Sequence, residues 1–206
     1  MGTNLALEGE YLCGMFASPS LLLASQSPRR HQILKEAGFD FQVVRIEADE
    51  DFDDSLPPER VCEYLAQHKS QHHQGPISPQ VLVTADTIVW IDHQVLNKPA
   101  DAQEAKAMLQ QLSGRTHEVY TGVCLRNEQK TRVFHDRTQV RFHELSDAEI
   151  EAYIASGSPF DKAGSYGIQD WMGYLGVAGI EGCFYNVMGF PVSRFYRELQ
   201  AFCQEG

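Results

Sequence analysis

Leu21-Leu22-Leu23-Ala24-Ser25-Gln26-Ser27-Pro28-Arg29-Arg30 is the stretch from which the fold is read. Its apolar start predicts a buried strand over 20–25. The run breaks at Ser-Gln-Ser, and a helix over 28–37 follows. Ser27 suits the N-cap, Pro28 suits the first helical position, and Ile33, Leu34 and Ala37 fall at helical spacing. Gly38 closes the helix. Arg29 and Arg30 therefore stand in the first turn, where the helix dipole disfavours cations. Beside them are hydroxyls and free backbone N–H groups, a set suited to an anion such as a polyphosphate. A solvated basic turn is the other reading, and this segment alone leaves both open.

Working outward, strands and helices stay mixed to the end of the chain. A strand over 40–46 is followed by an acidic loop from Glu47 to Asp54. Pro57-Pro58 opens a helix reaching about Gln71, with Val61, Leu65 and His68 on one face. His72–Gln80 is polar and contains Pro and Gly, hence a loop. Val81–Trp90 is a second strongly apolar strand, interrupted at Ala85-Asp86-Thr87. Asp92–Gln94 reads as a hairpin turn into Val95-Leu96. A helix over Asp101–Leu112 aligns Ala102, Ala105, Met108, Leu109 and Leu112, and Ser113-Gly114 ends it. Two longer strands, 116–126 and 131–143, flank the turn Asn127–Lys130. Ser146 and Glu149 form a capping box for a helix over 147–155. Gly157–Asp170 is glycine-rich and irregular. Residues 183–188 read as the last strand and 191–203 as a closing helix.

The chain has 206 residues, 43% of them apolar and 22% charged, enough for a sizeable core. The expected organisation is an N-terminal extension over 1–20 and a single domain over 21–206. A formal net charge of −11 opposes binding to nucleic acid or anionic lipid, and no basic stripe offsets it. No segment has the length of a membrane span. Residues 1–20 carry the apolar patch Tyr11–Ala17 but no basic n-region, so a secretory signal is not expected. Five cysteines, widely spaced and without CxxC, argue against a disulfide framework or zinc knuckle. They fit a reducing, cytoplasmic setting.

An acid in so apolar a strand as Val81–Trp90 carries a desolvation cost. Asp86 is therefore either a structural carboxylate paired with a cation, or a catalytic acid, base or metal ligand. The acidic loop (Glu47, Asp49, Glu50, Asp51, Asp53, Asp54) is either solvated or folded toward Asp86. In the second case the two form a hard-oxygen site for magnesium or manganese. Lys98 lies between Asn97 and Pro99. The segment Phe160–Gln169 holds two glycines that let backbone approach a ligand, the lysine Lys162, and the amide Gln169, which can read a polar edge. A glycine-rich surface loop is its plainer reading. His68 and His72 share a helix face, but Lys69 stands where a zinc protease needs glutamate and no third ligand is in view. GxSxG, GxxxxGK[ST] and GxGxxG are absent, so nucleophile-elbow, P-loop and dinucleotide readings lack support.

In combination these segments resemble the Maf family of nucleoside triphosphate pyrophosphatases from about Leu21 to Phe202. The resemblance is carried by Leu23-Ala24-Ser25-x-Ser27-Pro28-Arg29-Arg30, Ala85-Asp86-Thr87-Ile88-Val89, Leu96-x-Lys98-Pro99, Leu112-Ser113-Gly114-Arg115-Thr116-His117 and Asp161-Lys162-Ala163-Gly164-x-Tyr166-Gly167-Ile168-Gln169. The last is similar to the branch acting on dTTP and UTP rather than on 7-methyl-GTP. The resemblance implies an α/β fold similar to the inosine triphosphatase group: a mixed twisted sheet, flanking helices and two lobes around a central cleft. It implies hydrolysis of dTTP, UTP and modified pyrimidine nucleotides to the nucleoside monophosphate and pyrophosphate. A divalent cation, Mg2+ or Mn2+, a house-cleaning role and a homodimer are implied with it.

Carried over, Asp86, Glu50 and Lys98 would form the catalytic set, with Asp86 the proton acceptor and Glu50 and Asp86 the metal ligands. Ser25, Arg29 and Arg30 would hold phosphate, Arg30 also bearing on substrate choice. Lys69, Lys98 and Lys162 would neutralise the triphosphate, and Thr87 and Gln169 would help select the pyrimidine. The same cleft also admits a non-catalytic nucleotide-binding regulator linked to septum inhibition. Two positions depart from the family pattern. Asp170 follows the glutamine in place of the usual Gly and adds negative charge close to the expected base site. Leu175–Ile180 lacks the basic residues many members carry before the last strand.

Overall fold

The computed structural model describes residues 19–204. As the opening stretch predicts, β1 (Leu21–Leu23) feeds α1 (Pro28–Glu36), with Leu21, Leu23, Ile33 and Leu34 buried. Ser27 holds the cap position but its side chain makes no cap bond; its N–H donates to Ser25 Oγ at 3.2 Å. The chain then forms β2 (Phe41–Val43), α2 (Pro58–Gln71), β3 (Val81–Ile91), β4 (Gln94–Leu96) and α3 (Ala102–Leu112). After these come β5 (Thr116–Arg126), β6 (Thr131–Phe142), α4 (Asp147–Ala155) and the 3-10 turns Ser158–Asp161 and Ala163–Ser165. Last are α5 (Trp171–Leu175), β7 (Val177–Glu181), α6 (Phe184–Val187) and α7 (Val192–Gln204). No helix among the described residues is long and apolar enough to cross a membrane. Apart from Pro19 and Ser20, the expected extension over 1–20 lies outside the described residues.

The strands form one sheet in the order β2-β1-β3-β5-β6-β7, with β4 also on β3. β1 is parallel to β2 and β3, and the other pairings are antiparallel, so the fold is the expected mixed α/β. Alternation divides the strands between two faces. Leu21, Leu23, Val81 and Val83 pack with Ile33 of α1 and with Phe195, Leu199 and Phe202 of α7. On the opposite face Val61, Cys62 and Leu65 of α2 lie against Ile88 and Tyr120. A further core joins α3 and α4 to the sheet through Met108, Leu109, Ile150, Val89, Val119 and Val140. Burying such side chains contributes about 1.5–3 kcal/mol each, which is why a one-residue slip of β3 is not tolerated.

Two expectations are corrected. β3 is not interrupted at Ala85–Thr87; it pairs with β5 without a break from Leu82 to Trp90. The break lies along its other edge, where β1 pairs only at 81–83 and β4 only at 89–91. Residues 84–88 thus face a gap in the sheet, with Asp86 at its centre. The polar triplet marks a missing neighbour strand, not a broken strand. Residues 183–188, expected as a strand, hold the short helix α6, and the last strand is β7, paired to β6. Gly182 (φ 127°) and Gly189 (φ 111°) bend the backbone on either side of α6. A short apolar run suits strand and helix equally, so the pattern alone could not choose.

Candidate active site

The gap opens into a cavity of about 460 Å³, walled by residues of both the α1/α7 core and the α3/α4 core. Ser25, Arg29, Arg30, Glu50, Lys69, Asp86, Thr87, Lys98, Lys162 and Gln169 all line it. They come from the turn before α1, the first turn of α1 itself, the acidic loop, α2, β3, the residues after β4 and the glycine-rich segment. Only the fold makes them neighbours.

Asp86 is buried on the α2 side of β3. Lys69 Nζ donates to Asp86 Oδ1 and, at 2.8 Å, to Glu50 Oε1. Lys98 Nζ lies 3.6 Å from Glu50 Oε2. Asp86 is thus both ion-paired and on the cavity wall. The acidic loop reaches it through Glu50, whereas Asp49 meets His68 at 3.1 Å and Asp53 accepts the Ser55 N–H at 2.9 Å. Burial works to raise the Glu50 pKa, but bonding and charge from Lys69 and charge from Lys98 outweigh it and hold it low. α2 can lie this close because the residue opposite Asp86 on β5 is Gly122. A Cβ there would come within 2.1 Å of the Cys62 carbonyl oxygen. Sequence reasoning missed Gly122, since nothing local distinguishes it from other strand glycines.

Arg30 crosses the gap on the other side. Its Nε donates to Gly189 O at 2.8 Å, one terminal nitrogen to Ser25 Oγ at 3.3 Å and the other to Thr87 Oγ1 at 3.1 Å. Burial lowers the Arg30 pKa, and the charge of Asp86 pushes it back up. Thr87 Oγ1 is 2.9 Å from Thr121 Oγ1, which donates to Asn186 O at 3.0 Å. Thr121 therefore uses its only proton on Asn186, so in that pair Thr87 is the donor while it accepts from Arg30. The Gly189 carbonyl, at 3.4 Å, is a more distant acceptor for Thr87. Thr87 holds a guanidinium in place, and Thr121 and Asn186, unseen in the sequence, stand behind it.

Arg29 donates to Asp161 Oδ2 at 2.7 Å, and Lys162 Nζ donates to Asp161 Oδ1 at 2.6 Å. Asp161, given no role by the sequence reading, thus joins two of the cavity's cations. Burial raises its pKa, but Lys162 and Arg29 outweigh that and hold it low. Gly164 (φ 66°) and Ser165 (φ 64°) are left-handed, and a Cβ on Gly164 would come within 2.9 Å of Val89. The segment is therefore pressed onto β3. Gln169 Oε1 is buried with no hydrogen-bond partner in the protein. Asp170 does not line the cavity. Its carboxylate caps α5 through Met172 N at 3.1 Å and lies 3.9 Å from Lys162 Nζ, so its charge stands just behind the cavity wall, beside the segment that carries Gln169.

The remaining candidates recede. His72 Nδ1 bonds its own helix at His68 O, 2.9 Å away. Among the described residues no three His, Cys, Asp or Glu side chains converge as a metal cage. Cys62 and Cys124 are buried, and burial pushes both thiols up, away from reactivity.

A family model described as Maf-like protein matches residues 20–202. The chain is 46% identical over 182 residues to a dTTP/UTP pyrophosphatase of Phocaeicola vulgatus, spanning 87% of this chain and 94% of that protein. It is 46% identical over 186 residues to a dTTP/UTP pyrophosphatase of Porphyromonas gingivalis, spanning 88% and 94%. One from Flavobacterium psychrophilum is 43% identical over 185 residues, spanning 89% and 95%. Among solved structures, a HAM1 protein from Coxiella burnetii superposes with a TM-score of 0.39 at 12% identity, covering 60% of this chain and 73% of that one. So loose a likeness leaves the architecture resting on the sheet order.

Proposed function

The chain belongs to the Maf family, and from that premise we propose that it hydrolyses dTTP and UTP to the nucleoside monophosphate and pyrophosphate. The observation that carries the reading is the convergence of Arg29, Arg30, Lys69, Lys98 and Lys162 with Glu50 and Asp86 on one cavity, in a chain of net charge −11. A triphosphate repels an incoming nucleophile until its charge is neutralised, and fixed cations in a partly enclosed site do this better than water. Arg29 and Lys162 exchange the Asp161 carboxylate for phosphate oxygens. Arg30, held by Ser25, Thr87 and Gly189, is aimed into the same space. Asp86 accepts the proton of the attacking water, and Lys69 fixes the carboxylate that does so.

Two carboxylates, with no third protein ligand among the described residues, suit a magnesium or manganese ion completed by water and phosphate oxygens. Glu50 and Asp86 would hold it, and the Lys69 ammonium between them marks a position that favours positive charge. When bound, the ion would add neutralising charge and acidify nearby water. For base choice, the orphan Gln169 Oε1 needs a donor. Uracil and thymine offer N3–H, where cytosine has a bare nitrogen.

The test is a panel of UTP, dTTP, CTP and GTP with Mg2+ or Mn2+, read as pyrophosphate released. Release from UTP and dTTP well above the other two is expected. Release from none would remove the catalytic reading and leave the non-catalytic regulator linked to septum inhibition, which no feature of the site favours. A cytoplasmic homodimer that also clears modified pyrimidine nucleotides completes the proposal. Sedimentation velocity and an extended panel read the assembly and the wider substrate range.

A further inference from the structure

The segment that carries Gln169 is held from behind by one hydroxyl. Tyr153, buried on α4, accepts the Gly167 N–H at 3.2 Å and donates to Asp170 Oδ2 at 2.7 Å. Gly167 and Asp170 flank Gln169 along the chain. One oxygen thus fixes the backbone before the glutamine and the side chain after it. Ser158 Oγ donates to the same Asp170 oxygen at 2.8 Å. Ser158 also receives Lys162, which donates to its carbonyl and, at 3.3 Å, to its hydroxyl oxygen. Lys162 Nζ is 3.9 Å from Asp170 Oδ2. Neither Tyr153 nor Asp170 lines the cavity, so neither reaches a nucleotide bound there.

We propose that Tyr153 and Asp170 are positioning residues that set Gln169 against the base and Lys162 against the phosphates as one unit. The proposal rests on the reading of the cavity as a UTP and dTTP site. Its geometry is tight. A Cβ on Gly167 would lie 2.7 Å from Asp170 Oδ2, 2.9 Å from Gln169 Nε2 and 2.9 Å from Lys162 Cε. The hub, the amide and the cation therefore meet around one α-carbon. A hydroxyl bonded to a carboxylate is among the stronger hydrogen bonds. Burial raises the Tyr153 pKa, so the hydroxyl keeps the proton it donates. Among the described residues, no hydrogen bond links this hub to Asp86, Glu50, Lys69 or Lys98. Damage to it should therefore weaken binding and choice of substrate before it slows the chemical step.

Tyr153→Phe and Asp170→Asn in the full chain test this. Each should raise KM for UTP about 10-fold with kcat within about 3-fold of wild type, and lower the UTP-to-CTP ratio of kcat/KM. The double variant should be no worse than the worse single one, because both cut the same hub. Calorimetric binding of UTP in an Asp86→Asn background reads the same shift without turnover. Ser158→Ala, at a less buried position, gives a milder change in the same direction should either first variant fail to fold. Unchanged KM, Kd and base ratio in folded variants would overturn the proposal, as would a drop in kcat alone, the mark of a merely structural role. A wild type that binds UTP but releases no pyrophosphate, with the weaker binding still seen in the variants, would sink only the pyrophosphatase reading. A wild type that does not bind UTP would overturn both.

Discussion

The two walls of the cavity are built on different principles. Asp86 sits on the 11-residue strand β3, and Lys69 reaches it from α2, a helix seated by the missing side chain of Gly122. Lys162 sits in an extended link between two short 3-10 turns and Gln169 in a turn before α5, a segment kept in shape by Tyr153 and Asp170. The first wall is as rigid as the sheet. The second is only as rigid as a few hydrogen bonds. In the proposed function Asp86, which meets the attacking water, is on the first, and Lys162 and Gln169, which grip and choose the substrate, are on the second. Substitutions on the first wall should lower kcat, and those on the second should raise KM and blur base selection.

The largest expected effect is on the sheet wall. Asp86→Asn keeps an oxygen for Lys69 and so should fold, yet kcat should fall by at least about 100-fold. Steady-state kinetics beside a thermal melt checks both, and near-full turnover would break the contrast. Gly122→Ala drives a Cβ into the backbone of α2 and should cost roughly 1–3 kcal/mol or more in urea unfolding, with kcat reduced as Lys69 shifts from Asp86. On the loop wall, Gln169→Ala should narrow the UTP-to-CTP ratio of kcat/KM by about 10-fold and leave the melt unchanged. An unchanged ratio would make Gln169 structural and erase the division of labour.

An effect absent at neutral pH concerns the support of the loop wall. His117 is buried, with Nε2 2.7 Å from the Tyr166 hydroxyl, and burial lowers its pKa from 6.5 to about 3. Below pH 6.5 the unfolded chain takes up a proton that the folded chain refuses until about pH 3. Above that window His117 adds no pH dependence; within it, stability is lost as pH falls, by at most about 1.4 kcal/mol per pH unit. Urea midpoints across the window should drop more steeply in the wild type than in His117→Gln. Equal slopes would mean that His117 takes up its proton in the folded state.

Local signals made much of this molecule legible. Pro28 and the helical spacing after it gave β1 and α1, and Ser146 with Glu149 gave α4, whose capping box is formed. A lone acid in an apolar strand drew attention to Asp86, and the glycine-rich segment to Lys162 and Gln169. What was not legible is long-range. The gap at residues 84–88 depends on where β1 and β4 end, which no property of β3 encodes. Gly122 matters only because α2 crosses it. Tyr153 reads as one more apolar residue of a helix, and its bond to Asp170 exists only once the loop is folded. Lys69 and Thr87 were singled out through family resemblance alone, because a lysine on a helix and a threonine on a strand carry no mark of their own. The exchange of β7 for 183–188 reflects short apolar runs whose period cannot be measured.

In the function proposed above, the cluster of cations around Asp86 cleaves a nucleoside triphosphate between its α and β phosphorus atoms. Counting the products of UTP turnover by the purified protein tests it most directly. UMP and pyrophosphate in equal amounts, with no UDP, is the predicted result; UDP and orthophosphate would contradict it.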